Sequence, residues 1–435
     1  MQLDTYFKNL NIQSLNAMQE ATWQATEDFH DTILLSPTGS GKTLAFLFPI
    51  LRNLKKDVKG VQALIMVPSR ELALQIEEVF KKMGTGFKIN STYGGHATKI
   101  ELNNFNEPPA VLVGTPGRIA FHLRNENFST AAIQTLALDE FDKALEFGFE
   151  NDMTYIIQQL VGLRQRILTS ATALKKIPDF TGIVEPGKLN FLKDEEVTPD
   201  LTFKKLLAAP EEKLEVVLQL ICKLNTDISL IFCNHRDAVD RISETLRGKG
   251  IAHESFHGGM LQDERERALL KFRNGSSRIL LTTDLAARGL DIPEVDNIIH
   301  YQLPPKEDAF IHRNGRTARM NAKGTVYLIM TADESFPFLE ETIEVEVLEK
   351  KYALPQHTVY DTVYISVGKK DKVNKVDIVG YLIKTGGLEK EDIGLIMVKD
   401  TAAYVAIKYK KVIPTLKKLA DQKLKGKKVK MERAK

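Results

Sequence analysis

The sequence predicts an α/β protein with two tandem lobes, each built on a doubly wound parallel sheet, followed by a small α+β domain. Three observations support this. The 435 residues exceed what one hydrophobic core usually serves. Short apolar runs alternate with helical stretches in two successive series. The pattern then changes near residue 358. We therefore expect domains at residues 1–200, 201–350 and 358–435.

The first lobe is indicated by short apolar runs that are typical of buried parallel strands. These runs are 33-ILLS, 63-ALIMVP, 110-AVLVGT, 135-TLALDE and 166-RILTSAT. An acidic stretch, 193-KDEEVTPD, then separates the two lobes. The strands expected in the second lobe are 228-ISLIFC, 278-RILLTTD, 297-NIIHYQ and 325-TVYLIM.

The third domain has the order β-α-β-β-α-β, which RNA-recognition modules share with many unrelated proteins. Its predicted elements are 363-VYISVG, 373-VNKVDIVGYLIKT, 393-IGLIMV, 402-AAYVAIKY, 412-VIPTLKKLADQ and 428-KVKMER. From Tyr360 onward, 19 Lys and Arg face 9 Asp and Glu, a net charge of +10, whereas the preceding residues carry −7. This asymmetry favours a polyanionic partner such as RNA, although a solvated lysine-rich surface is the alternative.

Membrane and secretory segments are not expected. The longest apolar run is far shorter than the ~20 residues of a membrane span, and the N-terminus lacks a basic region followed by an apolar stretch. Cys222 and Cys233 form neither a CxxC motif nor a metal-ligand cluster. We interpret both as buried thiols of a reducing compartment, so the chain is expected to be cytoplasmic.

A phosphate-binding loop is predicted at 36-SPTGSGKT, directly after the first strand. Gly39 and Gly41 allow the loop to curl so that backbone N–H groups point at phosphate oxygens. Ser36 stands where the stricter P-loop pattern has glycine, and a chance Gly-rich turn is the alternative. The predicted cofactors are ATP, with Lys42 on its β- and γ-phosphates, and Mg²⁺, with Thr43 as a ligand. The residues expected to contact the nucleotide are Thr38, Gly39, Ser40, Gly41, Lys42 and Thr43.

An acidic pair, Asp139 and Glu140, ends the strand 135-TLALDE. Ligands of doubly wound folds bind at this carboxyl edge of the sheet. We expect Asp139 to hold Mg²⁺ and Glu140 to orient the attacking water and accept its proton. An acidic pair at a strand end can instead cap the next helix, and the upstream P-loop favours the catalytic interpretation.

The ordered set of motifs over residues 1 to 345 resembles the DEAD-box family of superfamily 2 helicases. In the first lobe the motifs are Gln19, 36-SPTGSGKT, 68-PSRELA, Gly94-Gly95, 115-TPGR, 139-DEFD and 170-SAT. In the second lobe they are 230-LIFCN, 257-HGGM, Gln262 with Arg265, 283-TDLAARGLD and 312-HRNGRTAR. The resemblance implies two RecA-like lobes that bind ATP and RNA.

The resemblance also implies roles for individual residues. Arg316 and Arg319 match the arginine fingers that assist Glu140 in catalysis, and Asp284 matches the residue that orients those fingers. Asp291 matches a ribose contact. Phe7 and Gln19 match an adenine-reading segment, which is abbreviated here because 12-IQSLNAMQ lacks the family's Gly and Pro-Thr.

Two further sets of roles follow from the resemblance. Ser170 and Thr172 are expected to link hydrolysis to strand separation by hydrogen bonding with Asp142. Phe141 replaces the family's Ala in the DEAD tetrapeptide and is not expected to be a ligand. Contacts with RNA phosphates and 2′-hydroxyls are expected from Arg70, Gly95, Thr115, Arg118, Asn234, Arg265 and Thr283.

The C-terminal region is similar to that of the DbpA-type helicases, whose RRM-like domain docks on a hairpin of large-subunit ribosomal RNA. Tyr364 and Tyr404 can offer stacking faces to bases, or they can serve only in core or edge packing. We therefore expect a monomeric, RNA-stimulated ATPase that remodels structured RNA, with ribosomal RNA as its partner. The alternatives are an ATP-gated RNA clamp or a general RNA chaperone, a DNA helicase of the same superfamily, and another P-loop ATPase.

Overall fold

The computed structural model of the chain describes residues 3–95, 98–173, 176–192, 200–286, 292, 295–317, 323–339, 342–349 and 351–434. The chain forms two compact units with their boundary at residues 199–200. The second unit contains both the second lobe and the C-terminal domain. Within the described residues, no helix is both long enough and apolar enough to cross a membrane.

The first unit is built on a seven-stranded sheet whose strands follow the order β3-β4-β2-β5-β6-β1-β7. Every described pairing in it is parallel. Its strands are β1 (Asp31–Leu35), β2 (Ala63–Met66), β3 (Ile89–Thr92), β4 (Val111–Gly114), β5 (Thr135–Leu138), β6 (Gln165–Ser170) and β7 (Gly187–Asn190). Its helices are α1 (Leu3–Leu10), α2 (Ala17–Asp28), α3 (Lys42–Asn53), α4 (Arg70–Met83), α5 (Thr98–Asn106), α6 (Pro116–Arg124), α7 (Phe141–Glu146) and α8 (Glu150–Gln158).

Strand β2 shows why this sheet is covered on both faces. All four of its residues are buried. Ala63 and Ile65 belong to one hydrophobic cluster, whereas Leu64 and Met66 belong to another. Because successive side chains of a strand point to opposite faces, each face has its own apolar layer. This is the doubly wound arrangement that the sequence predicts, and it is confirmed.

The second unit repeats this architecture with a seven-stranded sheet in the order β10-β11-β9-β12-β13-β8-β14. Its strands are β8 (Asp200–Leu207), β9 (Ser229–Phe232), β10 (Glu254–Phe256), β11 (Ile279–Thr282), β12 (Asn297–His300), β13 (Lys323–Met330) and β14 (Glu344–Val345). Its helices are α9 (Lys213–Leu224), α10 (Arg236–Gly248), α11 (Gln262–Arg273) and α12 (Glu307–Asn314). Cys233 is fully buried, but Cys222 is only partly buried, so the expectation of two buried thiols is wrong for Cys222.

The C-terminal domain is a four-stranded antiparallel sheet in the order β16-β17-β15-β20, which confirms the predicted α+β order. Its elements are β15 (Tyr360–Ile365), α13 (Lys375–Lys384), β16 (Ile393–Val398), β17 (Ala403–Lys408), α14 (Tyr409–Leu419), β18 (Lys423–Leu424), β19 (Lys427–Lys428) and β20 (Met431–Arg433). The last strand begins three residues after the predicted 428. A hairpin of β18 and β19 precedes it, turning at Lys425 and Gly426, which both have positive φ.

Candidate nucleotide and RNA sites

Residues 36–43 form a tight loop between β1 and the start of α3. Gly39 and Gly41 have φ of 87° and 91°, in the left-handed region that glycine adopts without strain. The Lys42 ammonium is buried and donates to the carbonyl oxygens of Ser36 and Pro37, each at 2.7 Å. The loop therefore curls around the lysine, and its binding of phosphate stays a prediction.

Ser36 occupies the position where the stricter P-loop pattern has glycine, and its hydroxyl is hydrogen-bonded within the loop. Its Oγ donates to Ser40 Oγ at 2.8 Å, and Ser40 Oγ donates to the Pro37 carbonyl at 2.9 Å. The Ser36 backbone N–H donates to the Ser170 carbonyl at 3.1 Å. The serine thus tightens the loop and ties it to the neighbouring strand β6.

Gln19 contacts this loop from helix α2. It forms a capping box with Asn16: Gln19 N–H donates to Asn16 Oδ1 at 2.9 Å, and Asn16 N–H donates to Gln19 Oε1 at 3.0 Å. The amide nitrogens of Gln19 and Asn16 also donate to the carbonyls of Gly41 and Ser40. A Cβ at Gly41 would lie only 2.6 Å from Gln19 Nε2, so a larger residue there would displace the Gln19 amide. The abbreviated adenine-reading segment therefore remains attached to the P-loop.

Phe7 lies on α1 and packs edge to face against Phe48 of α3, with ring centroids 5.8 Å apart. It belongs to the rim of the first hydrophobic cluster. Phe7 therefore helps to hold α1 on the lobe, and its predicted contact with adenine stays a prediction.

Asp139 and Glu140 follow β5 at the carboxyl edge of the sheet. Asp139 is buried, and its Oδ1 accepts from Thr169 Oγ1 and from the Glu140 backbone N–H. Burial raises the pKa of Asp139 above its ordinary value, whereas the Thr169 hydrogen bond and the nearby Lys42 charge lower it. The Lys42 charge is therefore near enough to Asp139 to act on its carboxylate, and the binding of Mg²⁺ there stays a prediction.

Glu140 has φ 49° and ψ 49°, a left-handed conformation that is uncommon outside glycine. It occupies the N-cap position of α7, yet its side chain makes no capping hydrogen bond. Simple helix capping therefore does not explain the acidic pair. The next residue, Phe141, is fully buried in the core, which agrees with the expectation that it is not a ligand.

Asp142 and Thr172 are joined, as the resemblance implies. Thr172 Oγ1 donates to Asp142 Oδ2 at 3.0 Å. Ser170 acts differently: its Oγ donates to the Thr172 carbonyl and accepts from the Thr172 backbone N–H. Ser170 thus shapes the turn that presents Thr172, and the contact with Asp142 comes from Thr172.

Arg70 and Gly95 are brought together in the first unit. Arg70 begins α4 after the capping residue Ser69. A Cβ at Gly95 would lie 2.6 Å from Arg70 Nη1, and Gly95 has φ 88°. A side chain at position 95 would therefore have to displace the Arg70 guanidinium. These two predicted RNA contacts form one continuous surface.

Thr115 and Arg118 lie at the start of α6, where Thr115 is the N-cap residue. Arg118 is held by Glu101: its Nε and Nη2 donate to Glu101 Oε2 at 2.7 and 2.5 Å. Glu101 is 1% exposed and also accepts from Thr92 Oγ1 and from His122 Nε2, each at 2.9 Å. The sequence reasoning missed Glu101, which is the centre of this network.

Asn234 and Thr283 line one groove of about 600 Å³ in the second unit, together with His257 and Gly258-Gly259. The groove lies where β9 and β11 end, at the carboxyl edge of the parallel sheet. Two of the three predicted RNA contacts of this lobe therefore share a surface. The third, Arg265, is buried on α11 and donates to Gln262 Oε1 at 2.5 Å.

Arg313 organises the second unit, although the sequence reasoning assigned it no role. It is fully buried and donates through Nε to Asp284 Oδ1 at 2.6 Å and through Nη2 to Asn234 Oδ1 at 2.8 Å. The remaining Nη1 donates to the Gln302 carbonyl at 2.8 Å. Asp284 thus accepts from an arginine three positions before the predicted finger Arg316, and its role in orienting the fingers stays a prediction.

Arg316 lies just beyond α12, is 2% exposed, and its backbone N–H donates to the Arg313 carbonyl. A backbone hydrogen bond thus joins Arg316 to the arginine that Asp284 holds. The other predicted finger, Arg319, and the predicted ribose contact, Asp291, lie outside the described residues.

Tyr364 and Tyr404 are directly opposite each other on β15 and β17 of the C-terminal domain, with centroids 5.6 Å apart. Their neighbours Val363 and Val405 enter the domain core. The tyrosines therefore lie on the sheet face away from that core and are not core residues. The Lys399 ammonium lies 5.7 Å from the Tyr404 ring centroid.

Three family models match the chain in succession. They are DEAD/DEAH box helicase over residues 16–180, helicase conserved C-terminal domain over residues 212–321, and DbpA RNA binding domain over residues 362–433. The ATP-dependent RNA helicase DbpA of Bacillus subtilis is 29% identical, covering 96% of this chain and 94% of that protein. The ATP-dependent RNA helicase eIF4A of Mycosarcoma maydis is 35% identical, covering 70% of this chain and 75% of that protein.

The structure of S. cerevisiae Dbp5 bound to RNA and ADP BeF3 superposes with a TM-score of 0.68 at 26% identity. The superposition covers 75% of this chain and 86% of that one. This similarity agrees with the tandem lobes described above.

Proposed function

Since the chain belongs to the DEAD-box family of ATP-dependent RNA helicases, we propose that it remodels large-subunit ribosomal RNA during ribosome assembly. The observation that carries the proposal is the C-terminal domain, which matches the DbpA RNA binding domain and carries a net charge of +10. A basic domain attached to an RNA motor supplies affinity by neutralising phosphates and releasing their counterions. It can thereby direct a motor that has little sequence preference of its own.

In this proposal the first unit holds ATP and Mg²⁺ with the residues around the P-loop. The buried Lys42 holds the β- and γ-phosphates, and the backbone N–H groups of Gly39 and Gly41 complete the cradle. Thr43 and Asp139 supply the hydroxyl and carboxylate oxygens that Mg²⁺ prefers, so the residues present fit this ion. Mg²⁺ neutralises phosphate charge when it is bound.

Glu140 takes the catalytic role. Its left-handed backbone presents the residue at the carboxyl edge of the sheet, where its carboxylate orients the attacking water and accepts a proton. Arg316 and Arg319 provide guanidinium groups to the charge that develops on the γ-phosphate. Added cations of this kind accelerate phosphoryl transfer by ~10³ to 10⁵.

RNA contacts come from two surfaces. In the first unit Arg70, Gly95 and Arg118 bind phosphates and 2′-hydroxyls, with Glu101 positioning the Arg118 guanidinium. In the second unit the groove with Asn234 and Thr283 takes the strand. The bond from Thr172 to Asp142 lies close to the catalytic pair in sequence and couples nucleotide state to strand separation. We further propose that the protein acts as a cytoplasmic monomer.

The test is ATP hydrolysis by the full chain with no RNA, with an RNA that carries the large-subunit hairpin, and with a scrambled RNA of equal length. We expect the hairpin to stimulate at a concentration at least tenfold below that of the scrambled RNA. Deleting residues 358–435 should remove this preference and leave stimulation by either RNA. Equal stimulation by both RNAs would contradict the ribosomal target and leave a general RNA helicase.

Strand displacement on a short tailed duplex then tests the remodelling step. RNA-stimulated hydrolysis without displacement would instead identify an ATP-gated clamp. A matched DNA duplex and DNA single strand serve as the nucleic-acid control, since the proposal requires stimulation by RNA.

A further inference from the structure

The C-terminal domain rests on the second lobe through the open face of its sheet. Thr362 lies on β15 next to Val363, and Val363 enters the domain core, so Thr362 points to the opposite face. Thr362 is nevertheless 0% exposed. Its Oγ1 accepts from Asn274 Nδ2 and donates to Ser276 Oγ, each at 2.8 Å. The end of α11 therefore covers this part of the sheet.

This contact is buried, and the Thr362 hydroxyl both accepts and donates a hydrogen bond in it. Asn274 and Ser276 are each 7% exposed, and the Ser276 N–H donates to Asn274 Oδ1 at 3.0 Å. Between them Gly275 turns with φ 74°, and a Cβ there would lie 4.0 Å from the Tyr360 ring. Buried polar groups tolerate burial only when they are paired, so this geometry fixes the docked position.

A second contact joins the domain to the first turns of the same helix. Lys399 Nζ lies 2.5 Å from Glu266 Oε2, and the two side chains are 28% and 29% exposed. Lys399 also stands over the Tyr404 ring. Helix α11 thus touches the C-terminal domain near both of its ends, which ties the orientation of the helix to the docked domain.

Glu266 also belongs to a hydrogen-bonded chain that leads to Arg265. Gln262 Nε2 donates to Glu266 Oε1 at 3.2 Å, and Arg265 Nη2 donates to Gln262 Oε1 at 2.5 Å. The two carboxylate oxygens of Glu266 therefore face different partners, Lys399 of the C-terminal domain and Gln262 of the motor.

We propose that Glu266 is a positioning residue that couples docking of the C-terminal domain to the RNA contact of Arg265. The inference rests on the proposed RNA helicase function and on the RNA contact that the resemblance implies for Arg265, and it goes beyond them because it makes the C-terminal domain a determinant of motor affinity even for RNA without a hairpin. Docking holds Glu266, Glu266 holds Gln262, and Gln262 fixes the Arg265 guanidinium. The second lobe then binds a single strand with less loss of side-chain freedom.

The test uses the full chain with single-stranded oligouridylate, which carries no hairpin, and measures the RNA concentration that half-stimulates ATP turnover. Lys399→Ala and Glu266→Gln should raise it about two- to threefold, and Glu266→Ala about fivefold, at unchanged maximal turnover. Glu266→Gln keeps an acceptor for Gln262 and loses only the ion pair. Lys410→Ala is the control, since Lys410 is an exposed lysine of the same domain. It should change the half-stimulating RNA concentration by less than about 1.5-fold, because an exposed charge contributes little.

The double variant Glu266→Ala with Lys399→Ala decides between coupling and direct binding. Coupling predicts that the double variant matches Glu266→Ala alone, because the lysine acts through the glutamate. If Lys399→Ala has its full effect in the Glu266→Ala background, the lysine binds RNA itself and the coupling is wrong. If the unaltered chain is not stimulated by any RNA, the proposed function fails instead. Circular dichroism confirms that each variant is folded.

Discussion

Replacing Glu101 with glutamine should destabilise the first unit and weaken its hold on RNA through the same lost contacts. The Glu101 carboxylate is 1% exposed and accepts from Arg118, His122 and Thr92, as well as from the Tyr93 backbone N–H. Glutamine retains one acceptor oxygen but places an NH₂ group where the other oxygen stood. That group meets side chains that are themselves donors.

The magnitude follows from the character of the lost bonds. Arg118 is 14% exposed at its side chain, so solvent screens its ion pair with Glu101 only weakly. A hydrogen bond to a charged group contributes about 1.5–3 kcal/mol, and breaking a buried pair by altering one partner costs about 3–5 kcal/mol. Because glutamine keeps part of the network, we expect a loss of about 2–4 kcal/mol in the free energy of unfolding.

Trp23 makes the assay specific, because it is the one tryptophan of the chain and lies on α2 of the first unit. Urea unfolding followed by its fluorescence reports that unit. With a slope of about 2 kcal/mol per molar urea, the midpoint should fall by about 1–2 M. Glu27→Gln is the matched control, since Glu27 pairs with Arg52 at 45% side-chain exposure and should cost under about 1 kcal/mol.

The RNA readout separates positioning from stability. Without urea, and at a temperature where both variants are folded, Glu101→Gln should raise the half-stimulating RNA concentration severalfold. Glu27→Gln should leave that concentration unchanged. If Glu101→Gln shifts the urea midpoint no further than Glu27→Gln, the buried network does not stabilise the unit as argued. If it shifts the midpoint but not the RNA concentration, Glu101 is structural only.

Three other predictions follow from single residues. Glu140→Gly should abolish RNA-stimulated hydrolysis. Its free energy of unfolding, measured with urea, should nevertheless be about 1 kcal/mol higher than that of Glu140→Gln, because glycine relieves the left-handed strain. Thr172→Val should keep RNA-stimulated hydrolysis within a fewfold and lower duplex separation, since it removes the bond to Asp142; equal loss of both rates would contradict that coupling role. Burial and the Arg313 charge lower the pKa of His300 to about 3, so its imidazole NMR resonance should not shift between pH 8 and 5, a range in which ordinary histidines titrate at about pH 6.5. The free energy of unfolding should therefore fall as the pH drops below about 6.5, because the unfolded chain takes up a proton there and the folded chain does not.

The elements that the sequence predicts well are those decided by neighbouring residues. The P-loop follows from glycines that tolerate positive φ next to a lysine and a threonine, and the buried strands follow from short apolar runs. Such features need no knowledge of the tertiary structure, and both lobes are recognisable from them.

The residues that the sequence reasoning missed are decided by distant partners. Glu101 meets Arg118 and His122 from 17 and 21 positions away, and Arg313 meets Asn234 from 79 positions away. A glutamate on a helix that is otherwise mixed in character is typical of a solvated surface. Glu101 is buried only because the strand with Thr92 and the helix with Arg118 and His122 pack against its own helix.

Docking of the C-terminal domain is the strongest case of this kind. Thr362 lies between Asp361 and Val363, on the strand face opposite the apolar Val363 and Ile365, and this pattern predicts a polar residue that faces solvent, as it would in the isolated domain. Thr362 is buried because Asn274, 88 positions earlier, supplies its hydrogen bond. The alternation of polar and apolar residues over 360–365 does not depend on Asn274. The interface between the C-terminal domain and α11 therefore could not be predicted from this strand.

The catalytic pair shows why local rules also fail where the chemistry is concentrated. Glutamate after a strand predicts a helix cap in the extended region, but Glu140 is left-handed and makes no capping bond. Its backbone N–H is held by Asp139 Oδ1 at 3.1 Å and Thr169 Oγ1 at 3.3 Å, and Asp139 remains buried beside Lys42. Strain and a buried charge both lower stability, and they fall on adjacent residues. Because both costs fall on adjacent residues at the carboxyl edge of the sheet, they favour the proposal that this pair is selected for activity rather than for stability.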